Sequence, residues 1–387
     1  LCYYVSALLV ITPRTYLLRI AFLPPSLWLT YCAGTKVDVT LAYNEPRLNY
    51  FNQVQIVIAT YVAIRLLEWS FQRSPLIRSE ATGSSSRTHS AQSREQGSNI
   101  TERLRDALDL VCNLRGIGWS WSRGTYIPPV PRAYPKSKAT FVGTTLGSSL
   151  FHFTVFDCIH FTIQLWSPEL ADPVGASLFD VALRPVERYT KAAAICVATG
   201  FIVCHGLQAA YHLAAAIGVL VFQQYPSQWP PLFDEPWKAT SLADFWGRRW
   251  HQLFRRGFVA VGAKPLSKIF GRGGGVLGAF FASALLHDWA TWGMGRGGEF
   301  RTVGRFFVMM GVGVVMEGVW QRFTLRRVGG WLGSVWTMLW LVGWGVGLVD
   351  AWSRRGLVAS IFVPDNWRPS RVIVAGMSQM FDATDTV

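Results

Sequence analysis

Apolar windows of about 20 residues, enough for a helix to cross a ~30 Å hydrocarbon layer, recur at 15–33, 51–69, 140–166, 192–222, 276–295, 303–320 and 331–349. A weaker eighth lies near 351–363. The pattern predicts an all-α, polytopic integral membrane bundle of about seven to nine transmembrane helices. The 192–222 window carries no charge and is long for one straight crossing, so it is expected to tilt or to extend beyond the bilayer. Pro24 and Pro25 remove two backbone donors and should kink the first span. The apolar stretch 1–11 is too short to span and reads as the remainder of a truncated helix; no basic flank or small-residue cleavage site supports a cleaved leader.

Between these windows, residues 72–101 are mostly Ser, Arg, Gln and Gly, a composition that buries too little surface to order itself. The chain therefore divides into N-terminal spans (1–71), a disordered loop (72–101), a core (102–349) and a C-terminal helix and tail (350–387). Basic residues collect in the 72–139 loop (Arg73, Arg103, Arg105, Arg115) and in the 223–275 loop (Lys238, Arg256, Lys264, Lys268, Arg272). Two spans separate the loops, so they face one side, and positive charge marks that side as cytosolic. The 167–191 loop balances acids against bases, as the opposite face allows. Asn99-Ile100-Thr101 matches a glycosylation sequon but falls on the cytosolic side, so no glycan is expected.

Composition agrees with a lipid environment. Hydrophobic residues make up 50% of the chain and charged residues 16%, against roughly a quarter charged in soluble domains. The net charge of +14 would suit nucleic acid, but the cations sit in short loops between spans, which excludes a nucleic-acid partner. Six cysteines show no CxxC spacing and read as small packing residues, not disulfide or zinc pairs.

Chemistry enters where the apolar pattern breaks. The run from Val276 to Leu286 is uncharged, then His287 and Asp288 interrupt it. His287 falls roughly 16 Å along the helix from Val276, near the middle of the bilayer core, where an ionisable group is costly. Ser283 and Thr291 lie four residues to either side, on the same face, within reach of the imidazole. Such a histidine can be satisfied by a neighbouring carbonyl or can be a catalytic base; the polar stripe and a second histidine upstream favour the base.

That second histidine ends the segment Asp244-Phe245-Trp246-Gly247-Arg248-Arg249-Trp250-His251. Ser241 followed by Asp244 is a plausible helix start. At helical spacing, Asp244, Arg248, His251 and Arg255 share one face of an amphipathic helix over 240–258. It reads either as an interfacial anchor or as a wall presenting His251 and its arginines to a polar cavity that holds an anionic cofactor.

Other signals are weaker. His152 and His160 in one span, and His205 and His212 in another, form no HxxxH pair and read as helix–helix hydrogen-bonding residues, so a diiron centre is disfavoured and no metal is expected. The GxGxxG at Gly273, Gly275 and Gly278 follows no strand and reads as a hinge. Glu317 is a lone intramembrane acid for which Arg322 is the nearest candidate partner.

The stretch Pro236–His251 resembles the signature of the wax synthase-like branch of the membrane-bound O-acyltransferase superfamily. Ala107–Trp119 resembles its fungal members, and Phe281–Asp288 is similar to the superfamily's histidine helix. The resemblance implies a reaction tunnel through the membrane, with acyl-CoA entering from the cytosol and a hydrophobic alcohol from the membrane or the far side. His287 matches the catalytic histidine. His251 stands where many members carry Asn or Asp, which leaves its role less defined.

On this reading a neutral His287 accepts the alcohol's proton as the oxygen attacks the thioester. His251 orients the thioester or stabilises the oxyanion. Arg248, Arg249 and Arg255, with Trp250, are candidates for CoA contacts; Ser283, Thr291 and Asp244 are supporting residues. Fungal relatives imply acetyl-CoA and a terpenoid or polyketide acceptor, at the endoplasmic reticulum. Alternatives are a wax synthase acting on long-chain alcohols and a non-enzymatic transporter. Oligomeric state is not readable from the string.

Overall fold

Hydrocarbon offers no water to bond backbone N–H and C=O groups, so an apolar window satisfies them internally as a helix. The computed structural model describes residues 1–78, 100–122, 124–130 and 137–374. Helices α1 (Cys2–Ile11), α2 (Tyr16–Thr35), α3 (Tyr50–Ser70) and α4 (Ile100–Cys112) form the N-terminal part. α5 (Lys138–Trp166) and α6 (Pro185–Leu220) follow as a long antiparallel pair. The short α7 (Leu242–Asp244) and α8 (Arg255–Phe258) precede α9 (Lys264–Thr291), α10 (Val303–Thr324) and α11 (Gly330–Ser353). No strand forms among the described residues.

By length and apolar content, five segments can cross a membrane: Pro46–Ser70, Pro185–Leu220, Arg255–Gly295, Val303–Thr324 and Gly330–Ser353. α2 and α5, of 20 and 29 residues, are as long but more polar. α6 reaches 36 residues because it begins seven positions ahead of its apolar window, at Pro185. α2 continues through Pro24 and Pro25. The weak eighth span near 351–363 does not form. α11 stops at Ser353, the chain turns, and Arg354 and Arg355 beyond it pair with Glu299. Most of the 72–101 loop, with Asn99 of the sequon, lies outside the described residues.

The glycine-rich entry to α9 is a bend. Gly271 has φ +64°, a conformation that L side chains rarely adopt, and α9 kinks there. The helix then crosses the π-helical turn Val259–Ala263 so closely that a Cβ on Gly262 or Gly278 would collide with the other's backbone. Small residues permit this approach between membrane helices.

Connections gather at two ends. At one, Lys138 donates to Gln223 (3.1 Å) and Gln224 to Asp109 (3.3 Å). Arg115 donates to the carbonyls of Pro231 (2.8 Å) and Pro230 (2.6 Å) and to the Tyr211 hydroxyl (2.5 Å). At the other end, the Ile361 amide donates to Arg47 O (3.1 Å), Ser177 to Asp350 (2.7 Å), and Arg354 and Arg355 to Glu299. Described parts of the two basic loops are thus joined at one end of the bundle. Against them, Leu242, Ala284, Val303, Phe306, Phe307, Met310, Leu348 and Ala351 form one buried cluster joining α7, α9, α10 and α11.

Candidate active site

The site is built on the break after α7. Ser241 caps this short helix, its Oγ accepting from the Asp244 amide at 2.9 Å. The remaining N-terminal donors find an acid from elsewhere in the bundle. Glu317 on α10 accepts from the Leu242 amide (2.6 Å), the Ala243 amide (2.9 Å) and Trp336 Nε1 (3.0 Å). The expected pairing with Arg322 is therefore replaced by a buried cap, which suits the positive end of a helix.

The continuous amphipathic helix expected over 240–258 does not form. Phe245–Arg249 is a π-turn closed by the Trp250 amide donating to Phe245 O (2.8 Å), and Trp250 itself is extended (φ −76°, ψ 153°). Buried Gln252 stabilises the break by donating to Trp250 O (2.6 Å) and Trp246 O (3.2 Å). Asp244, Arg248, His251 and Arg255 consequently do not share one helical face. Asp244 pairs with Arg249 (2.5 Å), which also donates to Asp234 O (3.1 Å). Arg248 lies over the Tyr126 ring at 4.8 Å. Neither Arg248 nor Arg249 lines the cavity described below, whereas Arg255 does, bonding Gly247 O (2.5 Å) and Gln252 Oε1 (2.9 Å).

A cavity of about 750 Å³ opens between α6, α9, α10, α11 and this turn, and both His251 and His287 line it, with Trp250, Arg272 and Ser283. His251 stands edge-on between Phe233 (5.7 Å, 85°) and Phe254 (5.9 Å, 88°). Its Nδ1 is buried without a hydrogen-bond partner among the described residues. Burial, and then the nearby His287 and Arg115, pushes its pKa down to about 3, so this imidazole is neutral.

His287 is held from both sides. Phe307 stacks on its ring at 4.0 Å and 23°. Its Nδ1 lies 2.8 Å from Ser283 O and 3.4 Å from Ser283 Oγ. A carbonyl only accepts, so Nδ1 carries a proton, and in the neutral ring the lone pair is then on Nε2. Thr291 does not reach the imidazole; its hydroxyl donates to His287 O at 2.8 Å. Asp288 faces away and accepts from the Glu299 amide at 2.6 Å. A neutral imidazole with a free Nε2, in a largely apolar chamber shared with a second neutral imidazole, can accept a proton from a bound hydroxyl.

Residues 229–309, which contain both histidines, match the membrane bound O-acyl transferase family. This chain is an acyltransferase, similar over that stretch to the membrane bound O-acyl transferase family. The acyltransferase is 28% identical to Acetyltransferase eriL of Hericium erinaceus over 283 residues, covering 69% of this chain and 71% of that protein. It is 28% identical to Acetyltransferase ple2 of Rhodocybe pseudopiperita over 310 residues (72% and 76%). It is 26% identical to O-Mevalon transferase yanI of Aspergillus niger over 299 residues (64% and 62%).

The other histidines among the described residues of the acyltransferase lie apart from this chamber. His152 on α5 and His205 on α6 share a hydrogen bond between their Nδ1 atoms (2.8 Å), and His212 stacks on His152 at 5.6 Å. His160 bonds Val358 O (2.8 Å) and packs beside Arg368, which pairs with Asp157 at 2.8 Å. Residues that the sequence reading passed over include Gln252, Phe307 and Trp246. Only the tryptophan carried a signal, as an aromatic inside the motif.

Proposed function

We propose that the acyltransferase transfers an acyl group, most simply acetyl, from acyl-CoA to a hydroxyl of a hydrophobic acceptor. The observation that carries this reading is His287, whose Nδ1 is committed to Ser283 O while Nε2 is left to the cavity it shares with His251. Nε2 takes the acceptor's hydroxyl proton as its oxygen bonds the thioester carbon. The tetrahedral intermediate then expels CoA by breaking the C–S bond, and the imidazolium returns the proton to the departing sulfur. His251 orients the thioester, and Arg255, with Arg248 and Arg249 farther out, meets the CoA phosphates.

The names of the relatives favour acetyl but include O-mevalon transferases, so donor choice is tested directly. The acceptor class, a terpenoid or polyketide, follows the fungal resemblance. We assign the basic loops 72–139 and 223–275 to the cytosol, residues 102–349 to the transferase core, and the protein to the endoplasmic reticulum. Membranes carrying the wild-type chain should release CoA from acetyl-CoA faster than from palmitoyl-CoA when given the acceptor. That acceptor is identifiable by mass spectrometry as the metabolite that loses its acyl group when the protein is absent. His287→Ala should lower turnover at least about a hundredfold at unchanged protein level; undiminished turnover removes His287 from the chemistry.

A further inference from the structure

Among the described residues two arginines line the cavity, and they differ in what holds them. Arg255 is tied through one nitrogen to Gly247 O (2.5 Å) and Gln252 Oε1 (2.9 Å). Arg272 has no ion-pair or hydrogen-bond partner among the described residues. It is also exposed, so the cavity reaches the surface beside it. Lys264 and Lys268, earlier in α9, are exposed too, but neither lines the cavity. The kink at Gly271 separates them from Arg272. The bend thus turns Arg272, unlike the two lysines, toward the chamber.

Beyond the kink α9 is regular, and Arg272, Gly275, Val276, Ala279, Ser283 and His287 all line the cavity. These positions fall on one helical face. A single stripe therefore runs from the exposed guanidinium to the imidazole. At the helical rise its ends lie roughly 22 Å apart along the axis. Small residues at Gly275 and Ala279, with Ala263 across from Gly275, keep the passage between them uncharged and open.

The proportions match those of an acyl-CoA. Its extended chain carries about fourteen bonds from the acyl carbon to the nearest phosphorus, about 17 Å at ~1.2 Å per bond. The arginine side chain covers the difference. The uncharged arm suits the passage, and the guanidinium fork suits phosphate oxygens. We propose that Arg272 binds the phosphoryl group that ends the pantetheine arm of the acyl donor, with α9 as the ruler that sets the acyl carbon beside His287. This inference rests on the acyl-CoA reading above.

The test is equilibrium binding to the full chain, without acceptor, of acetyl-CoA, acetyl-4′-phosphopantetheine and acetyl-pantetheine. The wild type should bind both phosphorylated compounds at least about tenfold tighter than acetyl-pantetheine, the ratio one charge-assisted hydrogen bond supports. Arg272→Gln should bring acetyl-4′-phosphopantetheine to within about twofold of acetyl-pantetheine, and weaken acetyl-CoA by about tenfold. Acetyl-pantetheine itself should bind the variant as before, and Lys268→Gln should behave as the wild type. The inference is overturned if Arg272→Gln keeps the preference, if Lys268→Gln loses it equally, or if Arg272→Gln loses all three ligands alike. A wild type that favours acetyl-CoA alone would move the grip to the nucleotide half and overturn it too. Equal binding of all three by the wild type overturns it while leaving thioester transfer intact; binding of none overturns the two together.

Discussion

His287 is oriented by main chain. Ser283 O, at 2.8 Å, fixes the tautomer, and the Ser283 hydroxyl at 3.4 Å adds little. Ser283→Ala should therefore change turnover by less than about threefold, measured as CoA release; a hundredfold loss would mean that the hydroxyl sets the tautomer. His251 supplies a pH test. Its pKa is lowered from the ordinary 6.5 to about 3 in the fold, so below pH 6.5 the unfolded chain binds a proton that the folded chain refuses. Its contribution to stability is whole above pH 6.5 and is lost as pH falls toward 3. His251→Asn should flatten the acid limb of a melting-temperature profile in detergent between these values, and an unchanged limb would refute the assignment. Both histidines were legible in the sequence, one as a polar break in an apolar run and one as the end of a motif. Their second partners were not: Phe307 and Phe233 look like any other apolar residue until packing brings the rings together.

The decisive element is the turn over 242–252. Glu317 satisfies two amides of α7 and the Trp336 indole at once. Glu317→Ala should cost about 2–3 kcal/mol, read as a lower melting temperature, and should also slow turnover by letting the turn shift. Glu317→Gln, which keeps one carbonyl acceptor, should fall between the two; equal melting of all three proteins would show that the cap is dispensable. Periodicity placed α3, α6, α9, α10 and α11 because lipid and packing both reward it. The same rule mistook 240–258 for one helix, because the bonds that break it come from Gln252 and from an acid remote in sequence. The eighth span near 351–363 failed for a related reason, since Arg354 and Arg355 are drawn to Glu299.

At the scale of the whole molecule, the two sets of loops make topology testable. Cys112 is exposed at the end shared by the basic loops, and Val174 is exposed near the other. In sealed microsomes a membrane-impermeant maleimide should label a protein whose single cysteine is Cys112 and spare one carrying Val174→Cys instead. The reverse labelling would invert the orientation. Arg115 has a wider meaning. Though far from His287 in sequence, it ties the 107–119 segment to Tyr211 and to the carbonyls of Pro230 and Pro231, just ahead of the turn that carries His251. The matched stretch 229–309 is therefore not a self-sufficient cassette. Chimeras meant to retarget such a transferase would have to exchange the Arg115 segment and the turn as one unit, because swapping either alone would seat a foreign guanidinium against carbonyls shaped for another.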